Sequence, residues 1–288
     1  MFEQLGLIGC GLMGGSFALA LKRAKLVKRV VGYSKSPSTT ARAKQLGVID
    51  VEAPSALLAV SGADLVLIAV PVAASESTFK AIRHGVSPET LVMDVGSTKS
   101  DVVEAARRGL AGQLGCFVPA HPIAGKEMAG IEHAEAGLFT DRQVVLTPIK
   151  ATLRSNVQRA TQVWTGVGAR VLTMTPDEHD AAFAAVSHLP HLLAFAFTNA
   201  IAAQPQGARF LGLAGSGFRD FSRIAASDPA VWRDILLANR EHLLLQSQAF
   251  RQALMEFEAL VAAGDAAALE AAIASASRTR SLWQPSGN

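Results

Sequence analysis

Leu5-Gly6-Leu7-Ile8-Gly9-Cys10-Gly11-Leu12-Met13-Gly14 decides the fold of this 288-residue chain. A short apolar run enters a G-x-G-x-x-G turn. Helix-forming residues follow from Gly14 to Lys25 and end in basic side chains. The glycine pattern alone is common. Directly after a strand and directly before a helix, it marks a dinucleotide-binding βαβ unit. Gly9 permits the tight turn, Gly11 lets the backbone approach a pyrophosphate, and Gly14 lets helix and strand pack closely. Cys10, Leu12 and Met13 complete the turn, with the phosphates on the positive helix N-terminus.

Further apolar runs follow at Val30–Tyr33, Leu65–Val70, Leu91–Val95, Cys116–Val118 and Val144–Thr147. They are continuous rather than alternating, as strands covered on both faces of a parallel sheet are. Helical segments fit between them at Pro37–Leu46, Ala74–Ile82 and Asp101–Leu110, joined by right-handed crossovers. The character changes near Thr175. Thr175-Pro176-Asp177-Glu178 combines an N-cap, a proline at the first helical position and a capping box. Asp228-Pro229 repeats the cap and proline. Val231 to Leu260 reads as one long helix, with Trp232, Ile235, Leu236 and Asn239 on one face. The expected architecture is an α/β Rossmann-type domain with a doubly wound parallel sheet over 1–175, then an all-α helical dimerisation domain over 176–288. Its Ala- and Leu-rich helices predict a homodimer. The tail from Ser277 to Asn288 is expected to be mobile.

Half of the residues are hydrophobic and 18% are charged, which excludes intrinsic disorder. The length suits about two domains, with enough core to need no covalent staple. Two cysteines, Cys10 and Cys116, exclude a disulfide scaffold. The 27 basic and 24 acidic side chains leave +3, no basic run exceeds two residues, and aromatics are 6%. Despite a pI near 9.0, no nucleic-acid partner is expected. For a membrane span of about 18–20 apolar residues, Leu65–Ala74 is too short and Leu189–Ala203 is interrupted by His191, Thr198 and Asn199. The N-terminus carries Glu3 and no basic segment, unlike a signal peptide. A cytoplasmic protein with reduced thiols and no membrane partner is expected.

Ligands of open α/β sheets bind beyond the carboxyl ends of the strands. The second apolar run ends in Ser34-Lys35-Ser36, with no acid to accept from a ribose 2′-hydroxyl. A hydroxyl and an ammonium suit a 2′-phosphate, with Arg42 as a further contact. NADP is therefore the expected cofactor, and NAD the second option. Val70-Pro71 and Gly96 would border the same crevice. Ser97 follows the fourth run, and His121 lies in the loop Pro119–Glu127 after the fifth. A histidine there can take a proton from a hydroxyl while hydride leaves the same carbon, with Ser97 on that hydroxyl or on the imidazole. Ser187-His188-Leu189-Pro190-His191 puts two histidines near one helix face. With no third ligand nearby, no metal is expected. Arg219 and Arg223 follow a glycine-rich loop and suit a substrate carboxylate; one of them can instead pair with Asp220 or Asp228.

Together these residues resemble the prephenate/arogenate (cyclohexadienyl) dehydrogenases of tyrosine biosynthesis. The resemblance rests on Gly9–Gly14, Asp94-Val95-Gly96-Ser97-Thr98-Lys99, His121-Pro122-Ile123-Ala124-Gly125, Ser187–His191, and Gly217-Phe218-Arg219-Asp220 through Arg223 to Trp232-Arg233-Asp234. It implies a Rossmann domain followed by a helical homodimerisation domain, and an oxidative decarboxylation with hydride transfer to NAD(P)+. By resemblance His121 accepts from the substrate 4-hydroxyl, Ser97 assists, Arg223 holds a carboxylate, His188 and His191 belong to the substrate pocket, and Glu127 sits at its mouth. Ser34-Lys35 departs from the family's usual acid. No mutase segment precedes Met1 and no regulatory domain fits after the helices, so a minimal monofunctional form is expected. Glu127 would accept from the ammonium of arogenate and Lys126 would oppose it. The choice between arogenate and prephenate stays open, with arogenate slightly favoured by analogy. A 3-hydroxyacid dehydrogenase or pyrroline carboxylate reductase would share the glycine turn but not His121-Pro122 with Arg223. A non-catalytic NADP sensor would need neither.

Overall fold

β1 (Phe2–Ile8) lies inside a six-stranded parallel sheet. Its companions are β2 (Val27–Tyr33), β3 (Val51–Glu52), β4 (Leu65–Ile68), β5 (Leu91–Asp94) and β6 (Phe117–Val118), in the order β3-β2-β1-β4-β5-β6. The structure, a computed structural model, describes residues 1–125 and 128–284. β1 pairs with β2 on one side and β4 on the other, so the strand order reverses at β1. A crevice opens at such a reversal, because the crossovers leave toward opposite faces.

Both faces of the sheet are covered. Phe17, Phe139 and Trp164 pack on one face, with the Phe17 and Trp164 rings 4.8 Å apart. Phe79, Ile82, Val102, Ala106 and Phe117 pack on the other. Burial on two faces explains why the strands read as unbroken apolar runs. Each such aromatic contributes about 1.5–3 kcal/mol by leaving water.

The run Val144–Thr147 does not join this sheet. β7 (Ala120–Pro122), β8 (Gln143–Leu146) and β9 (Arg170–Thr173) form a second sheet, with β7 antiparallel and β9 parallel to β8. The expected loop around His121 is thus a strand, because Pro119 has no N–H to extend the β6 ladder. The Ala120 N–H instead donates to Asp94 Oδ1 at 3.0 Å, turning the chain into the new sheet.

Thr175 caps the helix Pro176–Phe183 with the reciprocal bonds of a capping box. A π-helical turn, Ala184–His188, leads without interruption into the helix Leu189–Ala202. Pro190 cannot donate to a carbonyl in the preceding turn, and widened turns of this kind restore pairing around such a gap. The whole run Pro176–Ala202 is long and apolar enough to cross a membrane by length and composition, with a mean hydropathy of 1.4 in its most apolar 18-residue window. The stretch beginning at Leu189, taken alone, concealed this length. The same run carries the buried polar residues His179, Asp180 and His188.

Asp228 caps the helix Pro229–Ala238. The long helix expected from Val231 breaks at Asn239, whose φ of −106° and ψ of 30° leave the helical region. Its buried amide donates to the Asp180 carbonyl at 2.7 Å and to His188 Nδ1 at 3.0 Å. Those bonds reward the break. The helix Arg240–Ala263 follows, closed by Gly264 at φ 65°, and then Ala266–Leu282. The tail is therefore helical from Ser277 through Leu282. Thr175→Ala removes one half of the capping box and should lower stability by about 1 kcal/mol, read as an earlier urea midpoint; an unchanged midpoint would contradict the cap's role.

Candidate active site

The glycine turn sits at the reversal between β1 and β4. Gly9 has φ +95°, and a Cβ there would lie 2.1 Å from the Ala69 carbonyl oxygen. A Cβ on Gly14 would lie 2.1 Å from the Gly9 oxygen. At Gly11 a Cβ would meet nothing within 4 Å. Gly9 and Gly14 are thus demanded by the protein, whereas Gly11 borders open space that a side chain would fill. That space is a cleft of about 380 Å³ lined by Gly11, Leu12, Met13, Val70, Pro71, Gly96, Ser97 and Trp232, among others. Its floor is the N-terminus of the helix Leu12–Arg23, whose N-cap Gly11 makes no side-chain cap. Open amides, a positive helix end and a cradle that a Cβ at Gly11 would fill fit the pyrophosphate of a dinucleotide.

Cys10 is turned into the core, and burial pushes its thiol up to about 11. Its amide donates to Ser34 Oγ at 2.8 Å, so Ser34 ties the end of β2 to the turn. Lys35 and Ser36 are exposed, and Ser36 Oγ shares a hydrogen bond with Ser38. Arg42, named as a further phosphate contact, lies 3.4 Å from Glu132.

β5 ends in Asp94, and the chain beyond it folds back through Lys99. Both side chains are buried and form an ion pair. Asp94 also accepts from the amides of Gly96 and Ala120. Lys99 donates its second bond to the Ala120 carbonyl at 2.7 Å. The pair therefore ties the Ser97 loop to the strand that carries His121. Ser97 lines the cleft; His121 is half-buried on β7.

His121 meets two residues that the sequence reading did not single out. Its Nδ1 lies 2.8 Å from His179 Nε2, and His179 Nδ1 lies 2.8 Å from Asp180 Oδ1. Phe183 packs against both imidazoles. Burial holds His121 well below the usual histidine range, and the nearby His179, Lys99 and His188 reinforce this. Burial also lowers His179, against the opposing pull of Asp180. For Asp180, burial opposes ionisation, but hydrogen bonds from His179, Ser100 and Lys99 outweigh it and hold the carboxyl below its ordinary value. The constellation is a set of neutral histidines backed by a carboxylate.

The other two histidines do not act as a matched pair. His188 is buried on Asn239, and burial pushes it down to about 4. His191 is half-buried, stacks on Trp232 at 3.4 Å between ring centroids, and bonds the Ser187 carbonyl through Nδ1 at 2.9 Å. Burial lowers its pKa, and Arg223 stands close enough to lower it further. Arg223 is exposed, while Arg219 pairs with Asp220 at 3.2 Å. Glu127 and Lys126 lie outside the described residues. The adjacency of His179 and Asp180 just inside a capped helix was the available signal for the missed pair. Lys99 closes the motif Asp94–Lys99, and nothing in that local sequence shows its burial against Asp94.

Residues 17–173 match the prephenate dehydrogenase nucleotide-binding domain, and residues 175–275 match the prephenate dehydrogenase dimerization domain. The chain is 38% identical to prephenate dehydrogenase of Bacillus subtilis over 85% of its length, and spans 66% of that protein. It is 32% identical to cyclohexadienyl dehydrogenase of Zymomonas mobilis, over 92% of this chain and 90% of that one. Prephenate dehydrogenase of Aquifex aeolicus, solved in complex with hydroxyphenyl propionate and NAD+, superposes with a TM-score of 0.90. Identity there is 34%, over 97% of both chains. With two adjoining family domains accounting for most of its residues, this chain belongs to the prephenate dehydrogenase family.

Proposed function

We propose that the protein catalyses oxidative decarboxylation of a cyclohexadienyl substrate, arogenate or prephenate, with hydride transfer to NAD(P)+ in tyrosine biosynthesis. The observation that carries this reading is the clamp through Lys99, which ties the strand of a neutral, half-buried His121 to the cleft-lining loop of Ser97. The nicotinamide, when bound, supplies the hydride acceptor. His121 accepts a hydrogen bond from the ring 4-hydroxyl and shares its proton as the carbon gains carbonyl character. Electrons of the breaking carboxyl C–C bond then enter the ring and CO2 leaves. The oxygen takes its proton back and becomes a phenol, so no net proton is exchanged. Aromatisation drives the reaction, and the protein's work is mainly orientation. Ser97 assists at the hydroxyl. Arg223 holds a substrate carboxylate, with His191, His188 and Glu127 contributing to the pocket.

The finer cofactor reading is a preference for NADP. It rests on the missing acid after β2, on the exposed Lys35, and on Ser34, whose hydroxyl hydrogen remains to donate after Oγ accepts from Cys10. The assembly proposed is a homodimer through the helical domain. Leu237, Leu244, Leu245, Met255 and Val261 expose apolar side chains there, more than a lone subunit usually leaves in water. A cytoplasmic location accords with two free, buried cysteines. Arogenate is slightly favoured over prephenate by analogy alone.

His121→Asn should leave cofactor affinity intact and lower kcat by about 10²–10⁴-fold; an unaffected kcat refutes the assignment. Because the folded protein holds His121 below its ordinary value, the base stays unprotonated through neutrality, and kcat/KM should fall only below about pH 6.5. Gly11→Ala should weaken cofactor binding with little change in Tm, whereas Gly14→Ala should lower Tm, because only the second Cβ collides with backbone. Comparison of kcat/KM for NADP and NAD should favour NADP, and Lys35→Asp should reverse the order. A wild-type preference of about tenfold for NAD would overturn this cofactor reading.

A further inference from the structure

The helix Pro176–Phe183 reaches the base from behind through two hydrogen bonds in series. Asp180 anchors the series. Its Oδ1 accepts from the Lys99 amide and its Oδ2 from the Ser100 amide, each at 2.8 Å. Those bonds keep it an ionised carboxylate, which can only accept. The facing nitrogen of His179, Nδ1, must therefore carry the hydrogen. A neutral imidazole has one such hydrogen, so His179 Nε2 presents a lone pair. Its partner, His121 Nδ1, must then be the donor. Neutral His121 is left with its lone pair on Nε2.

We propose that His179 and Asp180 are positioning residues that fix His121 as the Nδ1–H tautomer and so reserve its Nε2 for the substrate hydroxyl. This rests on His121 being the proton acceptor. Left alone, an imidazole divides between two tautomers, and only one can accept at a given position. The series also orients the ring, with Phe183 closing its flank. When His121 holds the shared proton, its Nδ1–H donates more strongly, and the Asp180 charge is felt through His179. No proton needs to leave His121 toward the helix.

The arrangement depends on His179 remaining neutral. A doubly protonated His179 would donate from Nε2 and force His121 into the opposite tautomer. The titratable and charged groups around the two imidazoles are Asp180 on the same helix, Asp94 at the end of β5, Lys99 at the start of the helix Ser100–Leu110, and His188 in the π-helical turn. Complete burial of His179 and the adjacent ammonium of Lys99 favour the neutral form, against the Asp180 carboxylate.

A purely structural role for His179 would predict losses in folding alone, so the test needs readouts that folding does not move. The first uses ¹⁵N-histidine-labelled wild-type protein with cofactor bound, near neutral pH. The His121 signals are assigned by their loss in His121→Asn. A protonated Nδ1 and an unprotonated Nε2 are expected; the reverse overturns the proposal, whatever the activity. The second compares His179→Phe, which keeps a ring against Phe183 but offers no acceptor, with His179→Gln, which restores one. His179→Phe should lower kcat about 10–100-fold, the scale of losing a partner that orients a histidine, with cofactor affinity unchanged. The acid limb of kcat/KM should move to lower pH, because the protonated His121 loses its support. His179→Gln should recover part of kcat. An inactive His121→Asn beside a His179→Phe enzyme with unchanged kcat and pH profile sinks the relay and spares the base. A fully active His121→Asn sinks the base itself.

Discussion

Everything in the site hangs on the buried pair of Asp94 and Lys99. Neither side chain reaches water, and a lone charge at either position would cost several kcal/mol. The remaining capacity of each is spent on backbone: the amides of Gly96 and Ala120 for the carboxylate, the Ala120 carbonyl for the ammonium. Such pairs add little net stability against an apolar alternative, but they fix geometry. Here the geometry fixed is the relation between two chain segments. One leaves the main sheet at β5 with Ser97, and the other enters the second sheet as β7 with His121. The two sheets also share apolar packing and a bond from the Thr147 amide to the Pro119 carbonyl, and the pair adds the buried polar tie at their border.

A second carboxylate repeats the theme across the two parts of the chain. Asp180 comes from the helical half, yet its oxygens accept from Lys99 and Ser100 at the start of the helix Ser100–Leu110. It serves as a cap donated from outside, in the place where open amides and the helix dipole favour negative charge. Asn239 then holds the main chain of Asp180 and the ring of His188 together. The helix Pro229–Ala238, whose Trp232 walls the cleft, ends on that same asparagine. Sheet, base and cleft wall are therefore joined by a short series of buried polar bonds rather than by apolar packing alone.

What could be read in advance depended on how local the cause was. The glycine turn, the strand before it and the capped helix at Thr175 are set by neighbours a few residues apart, and they announce themselves. β3, β7 and β9 have two to four residues each and are strands only because of partners elsewhere. β7 in particular has proline on either side of Ala120-His121, which reads as a loop until β8 supplies the ladder. Val144–Leu146 is as apolar as the main-sheet strands, and nothing in its composition says which sheet it joins. The break at Asn239 hides inside a regular helical pattern, because its cause is a carbonyl 59 positions away. His179 and Asp180 were passed over for the same reason: a histidine after a capping box is unremarkable until another ring, 58 residues earlier, is found against it.

The π-helical turn Ala184–His188 also sets an angular phase. Each residue advances an α-helix by about 100°. A widened turn holds one residue more than the ideal, so side chains beyond it are rotated by about that angle from where a straight count would put them. The offset lets one continuous rod address two neighbours. Before it, His179 and Phe183 face the strand of His121; after it, His191 faces Trp232 on the cleft wall. A regular helix of the same sequence could satisfy one of these partners and would swing the other off its mark. The irregularity acts as a fixed gear between the two surfaces: the surplus residue is absorbed in the widened turn, and each end of the rod keeps its own partner.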